Sequence, residues 1–152
     1  MKRFKNLRKV LIIAEAGVNH NGSEKIAYKL IDQAKKCGAD IVKFQIFNTT
    51  NLSTKTLKKP NYIKKNFSLK RKSQFEILKK LELSLHQMNK ISNYCKKKKI
   101  EFLLSPFDIQ SIINLKKLNC KRVKIPSGEI NNYPYLKEIA KLNKKIILST
   151  GM

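Results

Sequence analysis

Polar side chains with the chemistry to hold and activate an anion recur at one kind of place in this sequence: the carboxyl end of an apolar run. Glu15 follows Val10-Leu11-Ile12-Ile13-Ala14 and precedes Gly17-Val18-Asn19-His20-Asn21-Gly22. Lys43 and Gln45 lie two apart inside Asp40-Ile41-Val42-Lys43-Phe44-Gln45-Ile46-Phe47, a spacing that puts both on one face of a strand. Ser105 ends Ile100-Glu101-Phe102-Leu103-Leu104 and leads into Pro106-Phe107-Asp108. Lys124 sits within a fourth run, which closes on Ser127-Gly128-Glu129, and Ser149 closes a fifth before Thr150-Gly151. Two lysines on strands, near hydroxyls and backbone amides, suit a small anion carrying phosphate and carboxylate groups. A strand lysine also has the chemistry for a Schiff base. His20, between two asparagines, is a candidate catalytic group, and Glu15 and Glu129 are carboxylates at strand ends. Each residue also has a structural reading: Lys43 and Lys124 as snorkelling lysines, Glu129 as a cap for a helix starting near Asn131, and His20 as a loop hydrogen-bonder.

The elements that must position these groups alternate. Strands are expected at 10–16, 40–47, 100–105, 121–126 and 145–149. Ser23 caps a helix whose apolar residues Ile26, Ala27, Leu30, Ile31 and Ala34 recur at helical spacing and which closes near Gly38. Further helices are expected at 73–82, 84–98, 109–118 and 132–142, with Leu85, Met88, Ile91 and Cys95 on one face of the second. The lysine-rich stretch 48–72, with Pro60 inside it, reads as a long loop or insertion. Strand–helix alternation predicts an α/β fold of parallel strands joined by right-handed crossovers. A doubly wound sheet and a β/α barrel both fit. In either, chemistry belongs at the carboxyl ends of the strands, where all five polar groups fall.

Composition narrows the classes. The chain has 152 residues, a length suited to one domain, and 41% of them are hydrophobic, too many for a disordered tail. The apolar runs are far shorter than a bilayer span. The basic start Met1-Lys2-Arg3 lacks a following signal-peptide pattern, because Glu15 breaks the apolar run, so no membrane partner and a cytoplasmic location are expected. Cys37, Cys95 and Cys120 show no CxxC spacing and read as small core residues in a reducing compartment. Lysine and arginine total 34 against 10 acids, a formal net charge of +24. A basic protein of this kind invites a nucleic-acid reading, with steeply salt-dependent binding. Yet Arg3, Arg8, Arg71 and Arg122 are its only arginines, and arginine is the residue of bidentate phosphate and base recognition. That reading also leaves the ordered strand-end motifs unexplained, so no nucleic-acid partner is expected. There is no GxGxxG or GxxxxGK[ST] loop, no HExxH, and no clustered histidines.

Five motifs in order resemble the sialic acid synthase family, which includes N-acetylneuraminate, legionaminate and pseudaminate synthases. They are Ile13-Ala14-Glu15-Ala16-Gly17-Val18-Asn19-His20-Asn21-Gly22, Gly38-Ala39-Asp40-Ile41-Val42-Lys43-Phe44-Gln45, Leu104-Ser105-Pro106-Phe107-Asp108, Lys124-Ile125-Pro126-Ser127-Gly128-Glu129-Ile130-Asn131-Asn132-Tyr133-Pro134 and Ile147-Leu148-Ser149-Thr150-Gly151-Met152. The resemblance implies an eight-stranded TIM barrel followed by a small antifreeze-like domain. This chain then corresponds to the N-terminal portion, about five strands of an incomplete barrel, and is expected to be inactive by itself. The implied reaction condenses phosphoenolpyruvate with an N-acetylated amino-sugar aldehyde, giving a nine-carbon 2-keto acid and phosphate. By motif position, Lys43 and Lys124 hold phosphoenolpyruvate, with Ser105, Ser127 and Ser149 adding hydrogen bonds and Gln45 lining the site. Glu129, Glu15 and His20 are the implied catalytic or orienting groups. The resemblance further implies a divalent metal, manganese or magnesium, with ligands outside these residues, and a homodimer of the complete protein. Two positions depart from the family: Asn21 stands where some members carry glutamate, and Ser105 where many carry threonine. Another phosphoenolpyruvate-using aldolase-like barrel is the alternative within enzymes, and a basic non-catalytic binding protein the alternative outside them.

Overall fold

The computed structural model describes residues 10–55 and 73–151. The strands are β1 (Ile13–Gly17), β2 (Ile41–Ile46), β3 (Glu101–Pro106), β4 (Arg122–Ile125) and β5 (Lys145–Leu148). Between them lie α1 (Glu24–Lys36), α2 (Thr49–Leu52), α3 (Gln74–Leu81), α4 (Leu85–Lys97), α5 (Ile109–Asn114) and α6 (Tyr133–Ala140). All neighbouring strands are parallel, and their spatial order is β1-β2-β3-β4-β5. A doubly wound sheet reverses direction at a switch point, so its order is not sequential. A run in chain order is barrel winding, which decides between the two architectures that alternation leaves open.

Local chemistry explains the boundaries. Ser23 caps α1 by accepting the Ile26 amide, as its spacing predicts. Capping boxes open α3 through Ser73 and Glu76, and α4 through Ser84 and Gln87. The expected helix 109–118 is shorter than its periodicity suggests. It tightens to a 3-10 turn over Leu115–Lys117, whose threefold repeat brings Leu115 and Leu118 onto the same buried side. The cap of α6 is Asn132, whose Oδ1 accepts the Tyr135 amide. Glu129 is therefore not that helix's cap, and instead accepts from Asn132 Nδ2 at 2.6 Å. Within the 48–72 stretch, Thr49–Leu52 is helical rather than loop, and 56–72 lie outside the described residues.

The sheet has two unlike faces. Val42, Phe44 and Ile46 alternate toward the helices and join Phe102, Leu104, Val123 and Ile125 in the core. Helix residues Ala27, Ile31, Met88, Ile91, Ile112 and Ile139 complete it. Each such buried aliphatic side chain contributes roughly 1.5–3 kcal/mol. The other face carries Ile41 and Leu103, with the Glu101–Arg122 ion pair at its lower rung, and a second set of polar residues toward the carboxyl ends of the strands. Cys95 and Cys120 are buried core residues as expected, and burial pushes both thiols up to about 12, so neither is a nucleophile at neutral pH. Cys37 is the exception to that reading. It follows the last turn of α1 and is exposed.

One carboxylate ties the loops above the sheet together. Asp108 caps α5 by accepting the Ser111 amide at 2.9 Å and the Ser111 hydroxyl at 2.7 Å. It also accepts the Asn48 amide at 2.7 Å and Asn51 Nδ2 at 3.3 Å from the segment after β2. Replacing it by alanine removes a cap and orphans a buried amide and hydroxyl. The Asp108→Ala variant is expected to lose about 3 kcal/mol of stability, read from its urea-unfolding midpoint, and Asp108→Asn less.

Candidate active site

Strand register gathers the polar residues on one face. Glu15 is opposite Lys43 across β1 and β2, and Gln45 is opposite Ser105 across β2 and β3. Leu104 stands opposite Val123, so Ser105 and Lys124 share the next rung. Lys124 in turn faces Ile147, two residues before Ser149. Adjacent partners in a parallel sheet point the same way, so Glu15, Lys43, Gln45, Ser105 and Lys124 form one band across four strands. A register shift between Glu15 and Gly17 marks a bulge at the end of β1. There Gly17 adopts φ +51, and a Cβ in its place would lie 3.1 Å from Glu15 Oε1 and 3.7 Å from Gln45 Nε2. A side chain here would crowd the Glu15 carboxylate, and the positive φ independently favours glycine.

The band is electrically poised for an anion. Lys43 is almost fully buried and forms an ion pair with the exposed carboxylate of Glu15. Burial, and then the like charge of Lys43, hold the Lys124 ammonium below its usual range, with Glu15 acting against them. Two cations and one anion leave net positive charge on this face. Ser105 is 1% exposed and its hydroxyl has no partner among the described residues. A buried hydroxyl without a partner costs free energy unless a ligand satisfies it.

The remaining candidates are placed differently. Ser127 and Glu129 lie on a short 3-10 turn after β4, both half-buried. Glu129 borders a cleft of about 650 Å³ shared with Asn51, Asp108, Gln110, Asn132 and Tyr135, which Lys43 and Lys124 do not line. Ser149 is anchored through its amide to the Ile125 carbonyl at 3.1 Å. His20 is not on the band. It is 1% exposed, its ring is 6.0 Å from that of Phe44, which faces the helices, and its Nδ1 accepts the Gly22 amide at 3.0 Å. That bond assigns the proton to Nε2, which has no partner among the described residues.

Burial holds the His20 pKa below its ordinary 6.5. The unfolded chain thus takes up this proton first as the pH falls, and stability declines from just above 6.5 down to the depressed native value. Replacing His20 by glutamine is expected to flatten the stability–pH curve over that interval. Urea midpoints of both proteins, measured from pH 8 to pH 5, check this; parallel curves would refute it.

Two residues at this end of the sheet have roles that the strand-end pattern did not single out. Asp108 is one, and its signal was available: an aspartate just before the apolar positions 109, 112 and 113 of a helix. Tyr135 is the other. Buried and 1% exposed, it donates its hydroxyl to the Pro106 carbonyl at 2.8 Å and pins α6 to the end of β3. Nothing in its sequence neighbourhood signals that long-range bond.

Among the described residues, no three His, Cys, Asp or Glu side chains gather where they would hold a metal ion. No described helix is long and apolar enough to cross a membrane.

An N,N'-diacetyllegionaminic acid synthase of Campylobacter jejuni is 53% identical over 147 residues, covering 96% of this chain and 43% of that protein. A synthase of the same name from Legionella pneumophila is 48% identical over 141 residues, covering 93% of this chain and 39% of its own length. The crystal structure of an N-acetylneuraminic acid synthetase from Leptospira borgpetersenii, in complex with citrate, superposes with a TM-score of 0.77 at 29% identity, covering 97% of this chain and 48% of that one. The chain thus spans less than half the length of each of these relatives. The fold is α/β, a parallel TIM-type barrel of which these five strands form the N-terminal part. Residues 30–152 match the model of the NeuB family, and the chain belongs to that family.

Proposed function

We propose that the polar band binds phosphoenolpyruvate, and that the protein to which these residues contribute condenses it with an N-acetylated amino-sugar aldehyde in surface-carbohydrate biosynthesis. The observation that carries this reading is the band itself: two lysines, an orphaned buried hydroxyl and a counter-carboxylate at the carboxyl end of a parallel sheet. Its charge suits a ligand with phosphate and carboxylate groups. The relatives named as legionaminic acid and neuraminic acid synthases support the substrate class.

Lys43 and Lys124 neutralise the two anionic groups, and Ser105 donates the hydrogen bond it lacks in the free protein. Ser127 and Ser149, on the neighbouring strand ends, complete the donors. Held in this way, carbon 3 of phosphoenolpyruvate attacks the aldehyde carbon, whose oxygen takes a proton. Water adds at carbon 2, losing a proton, and phosphate leaves from the tetrahedral adduct with cleavage of its carbon–oxygen bond. Glu15, on the band, and Glu129, on the adjoining cleft, are the carboxylates assigned to move protons, and fixed cations stabilise charge as it develops.

The test is substrate-dependent phosphate release by the native gene product containing these residues, with N-acetylmannosamine and a diacetamido sugar offered in parallel. Phosphoenolpyruvate labelled with heavy oxygen in the carbon–oxygen bridge is expected to deliver that label to phosphate, alongside a nine-carbon 2-keto acid. Release with no dependence on either sugar, or label retained in the organic product, would overturn the reading.

A further inference from the structure

The opposite end of the sheet carries a second concentration of positive charge. The segments that lead from helices into the strands are lysine-rich: Lys35 and Lys36 end α1, Lys96 to Lys99 run from α4 toward β3, and Lys144 and Lys145 open β5. Lysines in the last helical turns complement the helix dipole and need no other explanation. Lys121, Lys144 and Lys145 lie beyond those turns. With Arg122 they line one cleft of about 430 Å³, whose other walls are Cys120 and Asn143, and no acidic residue lines it.

The cleft is held in shape. Lys144 donates to the Cys120 carbonyl, and Arg122 Nε donates to Glu101 Oε1 at 2.8 Å. Asn143 closes the turn in the left-handed region, at φ 49. Lys121 and Lys145 are exposed at its mouth. A neighbouring cleft, lined by Lys96, Lys99 and Lys121 among others, shares Lys121 with the first.

We propose that the cleft formed by Lys121, Arg122, Lys144 and Lys145 is a second anion site, for a compact ligand carrying several phosphate charges. Three lysines on one cleft, beside an arginine whose charge Glu101 already pairs, suit a short polyphosphate chain better than a single carboxylate. Ammonium groups act there as point charges and ask for charge density rather than a planar partner. The concave shape favours a small ligand over an extended polymer. The site lies at the amino-terminal end of β4 and β5, where Arg122 is two residues before Lys124 on the same strand and faces Lys145, so it adjoins the lower edge of the band without sharing a residue with it.

Inorganic tripolyphosphate is the probe, titrated calorimetrically into the purified protein at low salt and again at about 0.5 M salt, where exposed charges are screened. We expect one saturable site at this pole, weakened about tenfold by Lys121→Gln with Lys145→Gln, since two exposed charge contacts are lost. The pair Lys25→Gln with Lys29→Gln, on the exposed side of α1, is expected to leave affinity unchanged. The pair Lys43→Gln with Lys124→Gln is expected to retain the site. Equal weakening by the α1 pair would overturn the proposal in favour of diffuse charge, and loss on the Lys43 and Lys124 pair alone would assign the anion to the polar band. Tighter binding of a long RNA, scaling with its length, would overturn the compact-ligand assignment. Both exposed lysine pairs should leave the thermal midpoint where it is, so loss of binding is not loss of fold.

Discussion

Replacing Gly22 by alanine is expected to destabilise the protein by about 3–5 kcal/mol, the largest effect of any single methyl group here. Two causes add. Gly22 holds φ +77, where an alanine is strained by about 1–2 kcal/mol. A Cβ at this position would also lie 2.2 Å from the backbone oxygen of Lys80, in the last turn of α3. That atom belongs to a helix and cannot rotate away, so the β1–α1 loop or the helix must move. The amide of Gly22 also bonds His20 Nδ1, so displacement unlocks the buried imidazole as well. Urea unfolding of Gly22→Ala beside Gly128→Ala is the measurement. The second glycine has open space where its Cβ would go, and its replacement is expected to stay within about 0.5 kcal/mol. Similar midpoints for the two variants would show that the Lys80 contact is not rigid.

Lys43→Met is expected to weaken phosphoenolpyruvate binding about 100-fold, because it deletes one charge-assisted contact from a nearly buried position. The fold should survive the change. Methionine fills the lysine stem's volume, and the carboxylate it abandons, Glu15, is exposed and can be hydrated. Lys43→Arg is not expected to rescue binding, since a planar guanidinium is longer and wider than the space a nearly buried ammonium occupies. Calorimetric titration of both variants with phosphoenolpyruvate, next to the unaltered protein, reads the result. Unchanged affinity in Lys43→Met would remove the residue from the binding band.

The strands were legible because each is an apolar run with its own closing signal, and all five lie within a few residues of the stretches their composition marks out. The winding order was not legible. Alternation of strand and helix is common to open sheets and barrels, and only the pairing of β1 with β2 through to β5 separates them. Lys43, Gln45, Ser105 and Lys124 could be read as neighbours because period-two spacing and parallel register are both short-range rules. His20 could not. Between two asparagines it resembles a site residue, yet the loop folds its ring down onto Phe44, and no local pattern says to which side of a sheet a loop side chain will turn. Glu129 shows the same limit, since its strand-end position predicted a place on the band and the 3-10 turn carries it to the adjoining cleft. Gly22 against Lys80 is a contact across 58 residues of chain, beyond the reach of any motif.

The Asp108 node has an engineering consequence. The chain leaving β2 is fastened at Asn48 and Asn51 by that carboxylate, while Glu82 beyond α3 accepts the Thr49 amide at 3.0 Å. Re-entry at Ser73 is fastened by a capping box, and α3 is braced at its far end by Gly22. The described residues on either side of 56–72 are thus held by named bonds: 48–51 through Asp108 and Glu82, and the start of α3 through its own capping box. Because those bonds are made by residues outside 56–72, replacing 56–72 by a segment of another length is expected to leave the bonds of Asp108 and Glu82, and with them the strand register, in place, as read from an unchanged urea-unfolding midpoint.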